Sequence, residues 1–341
     1  MAEEFVKTEA FVKADRLVTV FGGSGFVGRH VVRALARRGW RVRVAVRRPD
    51  LAFHLQPLGT VGQIHAVQAN VRHPESVAHA LRDAQAAINL VGILRELGAQ
   101  RFDAVHHLGA QSIAKAAKHA GTEVFVQMSA IGADPSGYSV YTKTKAFGEA
   151  AVRQILPDAI IMRPSVVYGP EDQFFNRFAA MARLMPALPL IGGGATKLQP
   201  VFAGDVATAI ALAVDGKAKP GTIYELGGPE VATLQRIITF VLTATGRRRR
   251  LIKVSFGRAR TLAFVTEIIR KLSLGLFPEI LTITSDQVKL LRSDNIVSPQ
   301  AEAEGRTLRG LSIAPEPFET LVPSYLYRYR KTGQFAGTRA V

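Results

Sequence analysis

The stretch Arg16-Leu-Val-Thr-Val-Phe-Gly22-Gly-Ser-Gly25-Phe-Val-Gly28-Arg-His-Val-Val decides the fold of this chain. A short apolar and β-branched run at 17–21 has the composition of a buried parallel strand, and helical periodicity begins after it. Gly22 permits a tight turn, Gly25 lets the backbone approach a pyrophosphate, and Gly28 lets the helix pack close to the strand. Unpaired N–H groups at the helix start favour a phosphate there. The stretch predicts a dinucleotide-binding loop; a plain tight turn is the alternative.

The composition predicts a well-filled core and a strongly basic surface. The chain has 341 residues, 48% of them hydrophobic, and a formal net charge of +17, which suits one large or two medium domains. It contains no cysteine, which excludes disulfides, cysteine nucleophiles and thiolate metal sites. The charge points to nucleic acid, anionic lipid or an acidic protein as a partner, and a generally basic solvated surface is the alternative.

Targeting and membrane-spanning segments are not evident. No uncharged apolar run is long enough to cross a bilayer. The first residues, Met-Ala-Glu-Glu-Phe-Val-Lys-Thr-Glu, carry acids and lack an apolar core, unlike a secretory signal or an Arg-rich transit peptide. We therefore expect an unprocessed start.

Strands alternate with helices up to about residue 165, which predicts right-handed crossovers and a doubly wound parallel sheet of the Rossmann type. Beyond it, loops and helices mix with two short strands, as expected of a smaller, mainly helical C-terminal lobe. The predicted strands are 17–21, 41–46, 63–67, 87–91, 124–128, 159–162, 201–202 and 222–226. The predicted helices of the sheet domain are 26–38, 50–57, 73–83, 100–120 and 141–155.

These patterns divide the chain into three parts. A nucleotide-binding domain covers 1–165, with return segments near 200–228. The smaller lobe covers 166–323 and is discontinuous, and a basic, aromatic docking tail covers 324–341.

The end of the second strand predicts which nucleotide is bound. An NAD site places an acid there to accept a hydrogen bond from the ribose 2′-hydroxyl. This strand instead runs into Arg47 and Arg48, whose guanidinium groups suit a 2′-phosphate. Asp50 follows a proline and is expected to cap the next helix. The sequence therefore favours NADP(H) over NAD(H), and Asn70, after the third strand, is placed to contact the adenine.

A possible reaction centre follows the fifth strand. Ser129 ends that strand, and Tyr141 and Lys145 lie one turn apart on the next helix, hence on one face. A lysine ammonium there lowers the pKa of the phenol, so that the tyrosine exchanges a proton with substrate. The histidines, including His106 and His107, show no metal-site spacing with carboxylates and are interpreted as helix surface.

Together with the glycine loop, this Tyr-x-x-x-Lys pair resembles the short-chain dehydrogenase/reductase superfamily. Its extended branch is indicated by Asn89-Leu-Val-Gly92, Arg163-Pro-Ser-Val-Val-Tyr-Gly169 and Gln199-Pro-Val-Phe-Ala-Gly-Asp205, so the resemblance covers about 15–230. Two residues depart from the usual pattern: Phe21 replaces a threonine and Asn70 a common aspartate. Further stretches resemble the atypical group around the nucleotide-binding accessory subunit of respiratory complex I. These stretches are 159–178, 189–200, 284–295 and 325–330.

The resemblance implies a subunit that holds NADPH tightly in a structural role, without known turnover, with Ser129, Tyr141 and Lys145 vestigial as catalysts. A bacterial form would lie peripherally on the cytoplasmic face of the inner membrane, or on the matrix side if mitochondrial, against other complex I subunits. A free NADP-dependent reductase or epimerase is the alternative. The implied cofactor-binding residues are Gly22, Ser24, Gly25, Phe26, Val27, Gly28, Arg47, Arg48, Asn70, Val71, Val91, Gly92, Ser129, Tyr141, Lys145, Pro164 and Val167.

The second lobe contains a basic amphipathic stretch after Arg247–Arg250. Apolar residues recur at helical spacing with arginines and lysine beside them, which suits a helix on an anionic lipid surface or against a partner. A core helix with a solvated basic face is the alternative. Nucleic acid is not expected as a partner, because aromatic residues are not interleaved with these arginines. The apolar residues are Leu262, Val265, Ile269, Leu272 and Leu276, and the basic ones are Arg258, Arg260, Arg270 and Lys271.

Overall fold

A computed structural model of the chain describes residues 16–272, 284–331 and 333. These residues form two compact units. The first comprises 16–164, 203–226 and 298–314, and the second comprises the described parts of 165–202, 227–297 and 315–333. The second stretch of the first unit agrees with the return segment expected near 200–228. The sequence pattern predicts residues 298–314 in the smaller lobe, whereas the structure places them in the first unit.

The strands form where β-branched and apolar runs occur. The five residues of the first strand are all buried, as expected of a central parallel strand. The strands of the described residues are β1 (Leu17–Phe21), β2 (Arg41–Val46), β3 (Ile64–Gln68), β4 (Ala86–Asn89), β5 (Val124–Met128), β6 (Ile160–Pro164), β7 (Val167–Tyr168), β8 (Ala187–Ile191), β9 (Lys197–Leu198), β10 (Val201–Phe202), β11 (Ile223–Leu226), β12 (Ala232–Thr233) and β13 (Arg250–Val254).

Helices connect these strands. The α-helices of the described residues are α1 (Phe26–Arg37), α2 (Pro74–Ala80), α3 (Leu108–His119), α4 (Val140–Ile155), α5 (Phe175–Leu184), α6 (Ala203–Val214), α7 (Leu234–Ala244), α8 (Phe256–Leu272), α9 (Ser285–Leu290), α10 (Pro299–Ala303), α11 (Phe318–Leu321) and α12 (Pro323–Leu326). Short 3-10 turns occur at Pro49–Leu51, Phe53–Leu58, Gly192–Gly194, Arg309–Leu311 and Tyr327–Tyr329, and Asp103–His107 forms a π-helical turn. None of the described helices is both long and apolar enough to cross a membrane.

The first unit is built on a parallel sheet in the order β11-β6-β5-β4-β1-β2-β3. The chain winds outward from β1 to β3 on one side and from β4 to β11 on the other, which confirms the predicted Rossmann-type fold. The order reverses between β1 and β4, where Val18 pairs with Ala86 and Phe21 with Asn89. Ligands of open α/β sheets bind outside the carboxyl ends of the strands at such a reversal.

Two predicted helices differ in the structure for local reasons. The helix predicted over 50–57 is two 3-10 turns, and Pro57 stands inside the second one, where it removes a backbone donor. The helix predicted over 100–120 begins as the π-helical turn Asp103–His107 and becomes α-helical only from Leu108. That turn changes which side chains face inward.

Residues 298–314 belong to the first unit because they pair with its edge strand β11. The Glu225 N–H donates to the Arg306 carbonyl at 2.9 Å, and the Arg306 guanidinium donates to the Ile223 carbonyl at 2.6 Å. The Ser298 N–H donates to the Glu225 carboxylate at 2.7 Å. The stretch lacks apolar periodicity, so its sequence gave no sign of this edge pairing.

The start of the predicted docking tail packs against its own chain. Tyr325 and Leu326 belong to the apolar core of the second unit, and the Tyr325 hydroxyl donates to the buried Asp172 carboxylate at 2.6 Å. Arg328 donates to the Asn176 side-chain oxygen at 2.6 Å. The aromatic and basic residues therefore dock within the second unit. Residues 334–341 lie outside the described residues.

Helix α8 packs on the second unit through its small residues. Ala259 and Ala263 are buried, whereas Leu262, Phe264 and Val265 are 41%, 60% and 43% exposed. The buried face of α8 is therefore formed by small residues, and the predicted apolar stripe is exposed at Leu262 and Val265. Leu276 and the side chains of 270–272 lie outside what the structure describes.

The close contact between α1 and the end of β1 is testable by substitution. A Cβ at Gly28 would lie 2.5 Å from the Gly22 carbonyl oxygen and 2.6 Å from Gly23 backbone atoms, none of which can move as a side chain could. We expect Gly28→Ala to lower the free energy of unfolding by about 1–3 kcal/mol, as overpacking does, measured by urea denaturation. The control is Gly257→Ala in the first turn of α8, where a Cβ meets nothing within 4 Å; equal stability of the two variants would contradict the prediction.

Candidate functional site

The glycine loop leaves the start of α1 uncapped by any side chain. Gly22 has a φ of +79°, and the Gly25 N–H donates to the Gly22 carbonyl at 3.1 Å, which closes the turn. Gly25 itself is extended, exposed and the N-cap of the helix, with no side-chain hydrogen bond and no acidic residue in the first turn. Ser24, Phe26 and Val27 are half-buried around it. An uncapped helix start with its positive dipole end exposed attracts an anion such as a diphosphate.

The loop is tied to the ends of the neighbouring strands. The Gly22 N–H donates to the carbonyl of Ala45 in β2 at 3.1 Å. On the other side, a Cβ at Gly22 would lie 3.3 Å from the backbone nitrogen of Val91, just after β4. The predicted residues at 22–28, 47–48 and 91–92 are therefore brought together at one edge of the sheet.

Arg47 and Arg48 follow β2 and are both exposed. Arg48 holds the carboxylate of Asp50 through two nitrogens, with Nε 3.1 Å from Oδ1 and Nη2 2.8 Å from Oδ2. These hydrogen bonds hold the pKa of Asp50 below its usual value. The expectation that Asp50 caps the next helix is wrong. The turn Pro49–Leu51 has no side-chain cap, because the Asp50 carboxylate accepts hydrogen bonds from the Arg48 guanidinium instead.

Asn70 lies just after β3. Its side-chain oxygen accepts the Arg72 N–H at 3.2 Å, and its own N–H donates to the Ser76 hydroxyl at 3.0 Å. The turn thus fixes the orientation of the side-chain amide. Val71 is half-buried and packs beside Gly109 of α3.

Ser129, Tyr141 and Lys145 lie at the carboxyl end of β5 and on the first turns of α4. The Ser129 hydroxyl is buried and has no hydrogen-bond partner among the described residues. The Lys145 ammonium donates to the Met128 carbonyl at 3.3 Å and lies 5.9 Å from the centre of the Tyr141 ring. Helix α4 starts here because Ser139 caps it, accepting the Thr142 N–H. A buried hydroxyl left without a partner fits a carbonyl or ribose oxygen as its missing acceptor.

Burial changes the acidity of both titrating groups. It raises the pKa of Tyr141 to about 12, so the phenol is neutral at pH 7 and is a proton donor. It lowers the pKa of Lys145 to about 8. The three side chains can thus donate hydrogen bonds or a proton to an oxygen of a bound ligand.

His106 is a site residue that the sequence interpretation missed. It is 2% exposed, so its assignment to the helix surface is wrong. Its Nε2 accepts the Ile93 N–H at 3.0 Å, which leaves Nδ1 to donate to the Thr144 hydroxyl at 3.1 Å. Its ring packs edge-on against Tyr141, with centroids 5.3 Å apart. Burial and the charge of Lys145 lower the pKa of His106 to about 2, so it is neutral.

The remaining predicted residues are divided between the two units. A Cβ at Gly92 would lie 3.4 Å from the Lys145 nitrogen, so the exit of β4 adjoins the lysine. Pro164 ends β6, is buried, and accepts the Ile131 N–H at 3.0 Å. Val167 lies in the second unit, where it pairs with Val201. His107 is at the helix surface as expected, paired with Asp103. The described residues contain no cluster of carboxylates and histidines suited to a metal.

Comparison with known proteins identifies the family of the chain. Residues 18–227 match the model of the NAD dependent epimerase/dehydratase family. The chain belongs to this family. The match begins in β1 and ends just after β11, so it includes the sheet and the predicted site.

Two relatives and one solved structure are similar over much of the chain. The mitochondrial NADH dehydrogenase (ubiquinone) 1 alpha subcomplex subunit 9 of Arabidopsis thaliana is 34% identical, over 94% of this chain and 80% of the relative. A ceramide reductase of Caulobacter vibrioides is 34% identical over 52% of this chain and 55% of the relative. The structure of Citrobacter triphenylmethane reductase complexed with NADP(H) has a TM-score of 0.69 at 16% identity, over 90% of this chain and 99% of that one, which supports the fold.

The lowered pKa of Lys145 predicts that its buried charge destabilises the folded, nucleotide-free protein. Lys145 binds its proton less tightly in the folded state than in the unfolded state, so its charge lowers the free energy of unfolding. This loss of stability is complete below pH 8. It disappears as the pH rises from about 8 to 10.5, the ordinary pKa of a lysine. We expect Lys145→Met to raise the unfolding free energy of the nucleotide-free protein at pH 7 by roughly 1–3 kcal/mol. The gain should shrink above pH 8 in denaturant titrations at several pH values.

The half-buried neighbour Lys143 in the same helix supplies the matched control. Lys143→Met should show no such gain. A Lys145→Met variant that is less stable than the parent at pH 7 would mean that the lysine stabilises the apo fold.

Proposed function

We propose that this chain is an accessory subunit of respiratory complex I that binds NADPH without turnover. The observation that carries the proposal is the 34% identity, over nearly the whole chain, to a relative named as a subunit of NADH dehydrogenase (ubiquinone). The relatives' subunit role supports association with other subunits of that complex. The site geometry supports the nucleotide.

The residues at the carboxyl edge of the first unit fit a dinucleotide. The exposed Gly25 backbone and the uncapped start of α1 suit the diphosphate. Asn70 and Val71 would border the adenine. Ser129, Tyr141 and Lys145 would hold the nicotinamide ribose. A bound nicotinamide would supply hydride chemistry; this chain's own groups bind and orient it.

NADPH is favoured over NADH by the two arginines after β2. Both are exposed, and no acid directly follows the strand. A guanidinium pairs with a phosphate by two parallel hydrogen bonds, which a ribose hydroxyl cannot match. Arg47 and Arg48 would therefore bind the 2′-phosphate through hydrogen bonds and charge.

The absence of turnover is supported by the charge state of the centre. Burial raises the pKa of Tyr141 to about 12, so the phenol holds its proton at pH 7 and suits a hydrogen bond to a ribose oxygen. The short stretch 130–140 between Ser129 and Tyr141 offers little surface for a substrate. The three side chains then serve to hold the ribose.

We place the protein peripherally on the cytoplasmic face of a bacterial inner membrane, or on the matrix side if mitochondrial, with α8 against anionic lipid. Five apolar side chains of α8 are more than a third exposed, with exposed Arg258 and Arg260 beside them. Apolar groups beside cationic ones suit the boundary between acyl chains and anionic headgroups. The apolar side chains are Leu262, Phe264, Val265, Ile268 and Ile269.

The proposal predicts a bound nucleotide in a native complex. Purification of the full-length protein from mildly solubilised membranes should yield complex I subunits and NADP(H), identified by mass spectrometry after denaturation. Slow exchange with added NADPH is expected because the nucleotide is structural.

Replacing Arg47 and Arg48 by alanine should weaken the binding of NADPH far more than the binding of NADH. An equal loss of affinity for the two nucleotides would mean that the 2′ site lies elsewhere.

A free NADP-dependent reductase or epimerase is the second candidate. The complete set of Ser129, Tyr141 and Lys145 and the partial similarity to a ceramide reductase favour it. It predicts recovery of the protein without subunits and rapid cofactor exchange, so the same purification separates the two functions. A nucleic-acid partner is not proposed, because the exposed apolar side chains described on α8 are mostly aliphatic, and successive bases stack on aromatic ones.

The lipid contact is tested separately with vesicles of phosphatidylglycerol and phosphatidylcholine. We expect the double variant Phe264→Ser/Ile268→Ser to bind them roughly tenfold or more weakly, because each buried apolar side chain contributes to partition. Leu51→Ser removes a similarly exposed side chain from the first unit and is the control. Unchanged binding of the double variant, or equal loss in the control, would show that α8 does not meet lipid.

A further inference from the structure

We propose that Asp50 sets the preference of the site between NADPH and NADH by competing for Arg48. The inference rests on the proposed function, since it concerns the same nucleotide site. Arg48 is the second of the two guanidinium groups after β2, and Asp50 is bound to it by both carboxylate oxygens. The acid thus occupies the Nε–Nη2 edge of the guanidinium, one of the two edges through which Arg48 could hold a 2′-phosphate.

The pair is a local feature that does not depend on burial. Pro49 stands between the two residues, and the turn Pro49–Leu51 is closed by the Leu51 N–H donating to the Arg48 carbonyl at 3.2 Å. The turn holds Arg48 and Asp50 on the same side, with 69% and 53% of their side chains exposed. A ligand can therefore reach the pair without any change in the fold.

The pair responds in opposite ways to the two nucleotides. A 2′-phosphate on Arg48 competes with Asp50 for the guanidinium donors and lies beside a carboxylate of its own charge sign, which opposes NADPH. A 2′-hydroxyl can instead donate a hydrogen bond to Asp50 while Arg48 still holds the acid, which favours NADH. Arg47 has no ion-pair partner among the described residues, so it is available to the phosphate without competition. Asp50 therefore reduces a selectivity that the two arginines alone would make stronger.

The test is to measure nucleotide affinity in Asp50→Asn, which keeps the side-chain shape and removes the charge. Titration of the full-length nucleotide-free protein, followed by NAD(P)H fluorescence, should show NADPH binding about three- to tenfold tighter than in the parent, and NADH binding no tighter. The gain should fall with added salt, because the groups are exposed. Asp50→Glu, which keeps the charge, should behave like the parent.

Two controls localise the effect. Glu123→Gln removes the acid of another exposed ion pair, Arg16–Glu123, which lies at the amino ends of β1 and β5. This variant should change the affinity for neither nucleotide. In the Arg48→Ala background, Asp50→Asn should lose most of its effect on NADPH, because no guanidinium remains to be released.

Weaker NADPH binding in Asp50→Asn would overturn the inference, since it would mean that the acid orients Arg48 for the phosphate. Equal changes for both nucleotides would also overturn it. A parent protein that binds neither nucleotide would remove the proposed nucleotide function and the inference together. A parent that binds both, with an unaffected Asp50→Asn variant, would remove the inference alone.

Discussion

The contact between the start of α1 and the turn at Gly22–Gly23 is the constraint on which the first unit depends. It exists only because Gly28 has no side chain, since a Cβ there would lie 2.5–2.6 Å from backbone atoms, well inside van der Waals distance. The close approach puts an uncapped helix start directly behind β1. The same turn donates a hydrogen bond from the Gly22 N–H to Ala45 of β2, and it places Gly22 against the backbone of Val91, just after β4. One steric requirement thus positions the exposed Gly25 backbone, the strand that leads into the two arginines, and the loop beside Lys145.

The interior end of the site is held by a second set of close contacts around α4. Gly148 allows the His106 carbonyl to approach α4, and His106 links the chain after β4 to Thr144. This network buries a lysine, a neutral histidine and a phenol together, and each loses hydration in the process. Groups that cost stability when empty are retained where a ligand uses them. The Ser129 hydroxyl is likewise buried, and no hydrogen-bond partner for it lies within the described part of the chain.

The sequence predicted those features whose causes are local. Strand β5 has the predicted bounds because Val124–Met128 is a compact apolar run, and the glycine spacing located the loop. His106 was misassigned because the π-helical turn Asp103–His107 shifts the facing of the helix, and a hydropathy pattern does not register one extra residue in a turn. The edge pairing of 298–314 and the burial of Tyr325 depend on residues far along the chain. Arg48 and Asp50 are only two residues apart, yet the sequence did not show that Asp50 would pair with Arg48 and leave the helix uncapped, because that depends on the geometry of the turn.

The positive charge of the chain is a weaker guide to partners than its total suggests, because arginines of the second unit serve the fold. Arg249 donates to the Ala182 carbonyl near the end of α5, and Arg330 donates to the Ala244 carbonyl at the end of α7. Guanidinium groups there satisfy carbonyls that a helix end leaves without partners. Arg247 likewise donates to the Tyr329 carbonyl. The evidence for a docking face is therefore the position of charge beside exposed apolar side chains on α8, since a net charge of +17 alone does not distinguish a structural arginine from one that meets a partner.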